Sequence, residues 1–104
     1  RRDFVHVEDI AAGTLATVGR TPGTYNLGTG SGTSLNELAS LLILRIAPAA
    51  APSYAPLQAG ELRFSVADIR AARQALGYTP TRSLASDIDS VIADVQARLR
   101  SAAL

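Results

Sequence analysis

The stretch from Gly60 to Pro80, GELRFSVADIRAARQALGYTP, sets the terms on which this chain can fold. Ser65 followed three residues on by Asp68 has the spacing of a capping box. The hydroxyl can accept from amides of a first helical turn, and Asp68 stands where Glu or Gln is usual, placing its charge against the positive helix end. Val66, Ile69, Ala72, Arg73 and Leu76 then recur at helical spacing. Gly77 supplies the left-handed residue that closes such a run, and Pro80 forbids its continuation. The pattern predicts a helix of about three turns running from Val66 to Leu76, entered from a loop that carries Glu61 and Arg63.

Upstream, Phe4 to Val7 reads as a short strand with Phe4 and His6 on one face and Val5 and Val7 on the other. Glu8 and Asp9 then open a helix through about Val18, closed by Gly19. Arg20-Thr21-Pro22-Gly23 is a turn signal, and Thr24 to Leu27 reads as a second strand. Ser34 with Glu37 makes a full capping box for a helix whose Leu35, Leu38, Leu41, Leu42 and Ile46 predict good burial, and Pro48 stops it. The uncharged, proline-rich run Ala47 to Pro52 is a connector, followed by a short extended piece at Ser53-Tyr54-Ala55. Ser83 can cap a last helix in which Leu84, Ile88, Val91, Ile92, Val95 and Leu99 form one apolar stripe, with Asp87, Asp89, Asp94 and Arg98 facing away. Burying such a stripe contributes about 1.5–3 kcal/mol per large side chain, so it needs a surface to pack against. The expected class is α/β or α+β: two or three short strands with about four helices.

Length and composition exclude several functions. With 104 residues, 47% hydrophobic, the chain is long enough for one domain with a modest core. All ten basic residues are arginines, spread from Arg1 to Arg100 without the stripe that a nucleic-acid face requires. The absence of cysteine and the single histidine exclude disulfides, thiol chemistry and a Cys/His metal site. No apolar run approaches the roughly 20 residues needed to span a bilayer, and the first residues lack a signal-peptide pattern. A soluble, cytoplasmic protein with neither nucleic-acid nor membrane partner is the expectation.

Few residues carry chemistry. Gly28-Thr29-Gly30-Ser31-Gly32 lies between a strand-like run and a helix, like a dinucleotide loop, but its spacing is G-x-G-x-G and no acid between Glu37 and Glu61 is available for a ribose. It reads as a tight backbone turn. His6, alone in a short β run, reads as a packed, hydrogen-bonded residue. Asp3 either orients Arg2 or satisfies loop amides, and Asp9 suits a first helical turn. Tyr25, Tyr54 and Tyr78 read as half-buried rings with their hydroxyls at the surface. Arg2 has the planar, multi-donor geometry that suits a pyrophosphate, and Glu61 is a carboxylate of the type that accepts from ribose hydroxyls.

Three blocks in order resemble one family. Gly60-Glu61-Leu62-Arg63 through Gly77-Tyr78-Thr79-Pro80, the run Arg2-Asp3-Phe4-Val5-His6-Val7-Glu8-Asp9, and Tyr25-Asn26-Leu27-Gly28 followed by Ser34-Leu35-Asn36-Glu37-Leu38 are similar to the C-terminal part of the NAD-dependent nucleotide-sugar epimerases and dehydratases, the extended short-chain dehydrogenase/reductase proteins. The resemblance implies that residues 1–104 are the substrate-binding segment of an extended Rossmann-type protein, with the N-terminal cofactor domain absent. A start inside a family block and without methionine favours a truncated piece. Catalysis in that family rests on a Tyr-x-x-x-Lys pair and a glycine-rich NAD loop. This chain has no lysine, so no catalytic residue and no bound NAD are expected of it alone. By resemblance, the pyrophosphate of a UDP-type nucleotide sugar falls to Arg2 and its ribose to Glu61. Gln58 stands where the family often has a second arginine, which implies weak binding. A homo-oligomer is expected, because surfaces that the family packs on its cofactor domain would seek another partner. A stand-alone, self-associating module without enzymatic activity is the alternative.

Overall fold

Four helices, α1 (Val7–Ala16), α2 (Leu35–Ile46), α3 (Arg70–Leu76) and α4 (Leu84–Ala103), carry the regular structure in a computed structural model that describes residues 1–103. Among the described residues no strand forms, which corrects the expected runs at Phe4–Val7 and Thr24–Leu27. A strand needs a neighbour along its length to receive its N–H and C=O groups. Here extended segments meet only at isolated bridges, where Arg2 pairs antiparallel with Thr33 and parallel with Ser65. Val7 joins α1 because His6 is its N-cap, with Nδ1 accepting from the amide of Glu8 at 3.0 Å.

Local caps hold α2, the end of α3 and the start of α4 where the spacing predicts. Ser34 and Glu37 form the reciprocal capping box on α2. The Ser83 hydroxyl accepts from the Ser86 amide at 3.2 Å at the head of α4. Gly77, at φ +66°, ends α3 in the left-handed conformation, its amide returning to Arg73 and that of Tyr78 to Ala72.

The start of α3 differs from the expectation. It begins at Arg70 rather than at Ser65 and Val66, and Ile69 at its N-cap makes no side-chain cap. The amide of Ser65 donates to the Arg1 carbonyl at 2.9 Å and the amide of Ala67 to the Asp3 carboxylate at 3.2 Å. With those groups committed across the chain, Ser65–Ile69 stays non-helical, and Asp68 accepts instead from the amide and guanidinium of Arg70.

The core is small. Ile69, Ala72, Leu76 and Tyr78 form one buried cluster on which Ala16, Tyr25 and Leu27 pack, so that α1 lies against α3. Ile88 of α4 is also buried. No residue of α2 is buried, contrary to the burial its leucines predict, and in the α4 stripe Val91, Val95 and Leu99 are 46%, 48% and 65% exposed. These two helices pack on each other, with Arg45 donating to Asp89 at 2.8 Å, but their remaining apolar surface faces outward. The radius of gyration is 16.8 Å, where about 13 Å is usual for a domain of this size. The accessible surface of 7705 Å² likewise exceeds the about 5,500 Å² that its mass predicts for a folded monomer.

Candidate functional site

Arg2 sits where three stretches of chain meet. Its amide donates to the Thr33 carbonyl at 2.9 Å, and the Thr33 amide returns to its carbonyl at 2.8 Å. One residue on, the Asp3 carboxylate accepts from the Thr29 amide at 2.9 and 3.1 Å, from the Thr29 hydroxyl at 2.6 Å, from the Gly30 amide at 3.0 Å and from the Ala67 amide. Burial pushes the Asp3 carboxyl up. The Thr29 hydroxyl and the three amides outweigh that and hold it below its ordinary value. Gly28 is required at this point, since a Cβ there would lie 2.6 Å from Asp3 Oδ2 and 2.8 Å from the Ala67 Cβ.

That arrangement decides what the glycine loop can do. A phosphate cradle needs outward-facing amides. Here the amides of Thr29 and Gly30 already serve an internal carboxylate, as the reading of the loop as a backbone turn implies. Of the two roles open to Asp3, it is the loop amides that it satisfies.

Around Arg2 lies a cavity of about 550 Å³, walled also by Asp3, Phe4, Val5, Leu27 and Leu35. Among the described residues the Arg2 guanidinium has no carboxylate partner, as is also true of Arg20, Arg63, Arg73 and Arg100, but of these five Arg2 is the one that lines this cavity. Gln58 and Glu61 share an exposed turn, with the Glu61 amide donating to the Gln58 carbonyl at 3.3 Å. Neither lines the cavity of Arg2.

Two features under the site carry no motif. Asp9, 3% exposed, accepts from the amides of Thr81 and Arg82 and from the Thr81 hydroxyl. Burial raises its carboxyl and these bonds together lower it below the ordinary range. The first-turn role foreseen for Asp9 is therefore the lesser part of what it does. Tyr78, foreseen with its hydroxyl at the surface, is 4% exposed and donates to the Gly28 carbonyl at 2.6 Å. Burial, then the charges of Asp9 and Asp3, raise its phenol. Tyr54 is exposed throughout, and Tyr25 is the half-buried ring foreseen, its hydroxyl bonded to the Thr21 carbonyl.

A second hollow of about 180 Å³ is lined by His6, Ser83 and Asp87, residue types of a nucleophilic triad. Each is committed elsewhere: His6 caps α1, Ser83 caps α4 and Asp87 pairs with Arg82 at 2.9 Å. No relay from carboxylate to imidazole to hydroxyl exists there. No cluster of three metal-ligating side chains occurs among the described residues.

No family model matches the chain. Curated relatives do. The chain is 32% identical over 93 residues to the UDP-glucose 4-epimerase of Mycolicibacterium smegmatis, an alignment covering 88% of this chain and 30% of the relative. It is 34% identical over 87 residues to the UDP-glucose 4-epimerase of Streptomyces lividans, covering 79% and 26%. Its backbone superposes on a crystal structure of the UDP-glucose 4-epimerase of Thermotoga maritima with UDP-glucose at a TM-score of 0.85 and 30% identity, covering 93% of this chain and 32% of that one. The chain thus spans a third or less of the length of these proteins.

Proposed function

From the premise that this chain is UDP-glucose 4-epimerase-like, we propose that it is the substrate-binding portion of an NAD-dependent nucleotide-sugar epimerase or dehydratase of the extended short-chain kind, working in the cytoplasm. In this reading Arg2 binds the pyrophosphate of a UDP-type nucleotide sugar, Glu61 the ribose, and Gln58 adds uncharged donors. The observation that carries it is Arg2, which lines a cavity of about 550 Å³, is tied to Thr33 through both its main-chain N–H and C=O, and has no carboxylate partner among the described residues. A planar, multi-donor cation anchored through its backbone suits a diphosphate. Glu61 stands outside the cavity wall, so the ribose takes the more exposed end of the ligand and binding is weak.

The residues of this chain do not fit the dinucleotide itself. Its glycine-loop amides serve Asp3, and it has no lysine, so on this reading it binds no NAD and performs no chemistry alone. Chemical-shift mapping with UDP and with uridine tests the assignment. UDP should perturb amides around Arg2, Gln58 and Glu61, and uridine, lacking the diphosphate, should perturb Arg2 far less. Perturbations confined to other residues would refute it.

A second reading, a self-associating module, is favoured by the surface. An excess of about 2,200 Å² over the folded-monomer expectation is more than the about 800 Å² per partner that a standard protein–protein interface buries, and the outward apolar side chains of α2 and α4 supply its chemistry.

A further inference from the structure

The Asp3 carboxylate and the Arg2 backbone bind the same two segments. Arg2 is bridged to Thr33 and Ser65, while Asp3 holds Thr29 and Gly30, a few residues before the first, and Ala67, two residues after the second. The two adjacent residues therefore cross-link the glycine loop to the approach of α3 at two neighbouring points. Arg2 and Asp3 both line the cavity, and an unengaged carboxylate there would compete with any anion for the arginine. Here four donors from protein hold it instead: three amides and the Thr29 hydroxyl.

We propose that Asp3 is a positioning residue for Arg2: by gathering the amides of Thr29, Gly30 and Ala67 it fixes the frame from which the Arg2 guanidinium reaches a diphosphate, and it is itself kept from neutralising that guanidinium. This rests on the reading of Arg2 as the diphosphate ligand. The proposal reverses the sign expected from charge alone. If Asp3 were only a negative charge near Arg2, removing it would strengthen anion binding. If it positions Arg2, removing it weakens anion binding. Asp3→Asn presents an NH2 to donors that need an acceptor, so the frame loosens. Asp3→Glu keeps the charge but carries the carboxylate one methylene further, off the position at which the Thr29, Gly30 and Ala67 amides reach it. Its displaced carboxylate becomes free to pair with Arg2.

The test is titration of the full chain with UDP, followed by NMR at a temperature where circular dichroism shows every variant folded. Both Asp3→Asn and Asp3→Glu should bind about tenfold more weakly, the scale of one misplaced charge-assisted contact. Asp9→Asn is the control. It breaks a similar carboxylate clamp away from Arg2, so it should lower thermal stability comparably and leave UDP affinity unchanged. Wild-type affinity in both Asp3 variants, or tighter binding by Asp3→Asn, overturns the positioning role and leaves the Arg2 reading standing. Equal losses in Asp9→Asn overturn it too, since the effect is then general loosening. If the unaltered chain and Arg2→Ala respond to UDP alike, the Arg2 reading itself fails and this inference falls with it.

Discussion

The Tyr78 hydroxyl donates to the carbonyl of Gly28 at 2.6 Å, joining residues 50 apart in sequence inside the core. That bond anchors the glycine loop from below while Asp3 holds its amides from above. Tyr78→Phe keeps the ring but leaves the carbonyl unpaired where water has little access. It should cost about 1–3 kcal/mol, a fall in melting temperature of about 4–8 °C for each kcal/mol in a domain of this size. Thermal denaturation followed by circular dichroism measures it, and an unchanged midpoint would show that the bond contributes nothing.

Acid should weaken the fold through two carboxylates. Asp3 and Asp9 are both held below their ordinary value of 3.8, so the unfolded chain takes up protons at a higher pH than the folded one. Their stabilisation is fully present above that value and is lost as pH falls through it toward the lower folded values. The melting temperature is expected to hold from neutral pH down to about pH 5 and then to fall. Asp3→Asn/Asp9→Asn should start lower and show a shallower decline, whereas an equally steep decline would assign the acid sensitivity to other groups.

Self-association follows from uncovered apolar surface on α4. Light scattering over a range of concentrations should report a dimer or larger species, and Val95→Glu, at a half-exposed position outside the core, should return it to monomer with its cooperative melting intact. A chain that stays monomeric at about 100 μM with a cooperative transition closes its own core and removes the second reading.

Dinucleotide binding should be absent from this chain by itself. The Thr29 and Gly30 amides of the Gly28–Gly32 loop are already engaged with Asp3, and displacing that carboxylate would leave a half-buried charge without its donors. Calorimetric titration with NAD is expected to give dilution heats alone. A micromolar single-site isotherm would contradict this.

What could be read from the sequence divides by the range of the interaction. Ser34 with Glu37, Ser83 with Ser86 and Gly77 with Arg73 act within four residues, and these helix ends lie where spacing places them. Ser65 shows the opposite case. Its capping signal is sound locally, but its amide bonds to Arg1 and that of Ala67 to Asp3, more than sixty positions away, so the helix waits until Arg70. The strand-like runs failed for want of neighbours, a property that no single segment records. Asp9 and Tyr78 were undervalued for the same reason, since their partners Thr81 and Gly28 lie 72 and 50 residues off. Arg2, Gln58 and Glu61 are singled out by the family blocks rather than by local physics; Arg2 lines the cavity and the other two do not.

The most direct measurement is the response of Arg2 and its neighbours to UDP in the unaltered chain and in Arg2→Ala. Saturable shifts of the Arg2, Thr33 and Ser65 amides in the unaltered chain, abolished in the variant while its fold persists, are the expected result. Identical titrations of the two proteins would contradict the assignment of the diphosphate to Arg2.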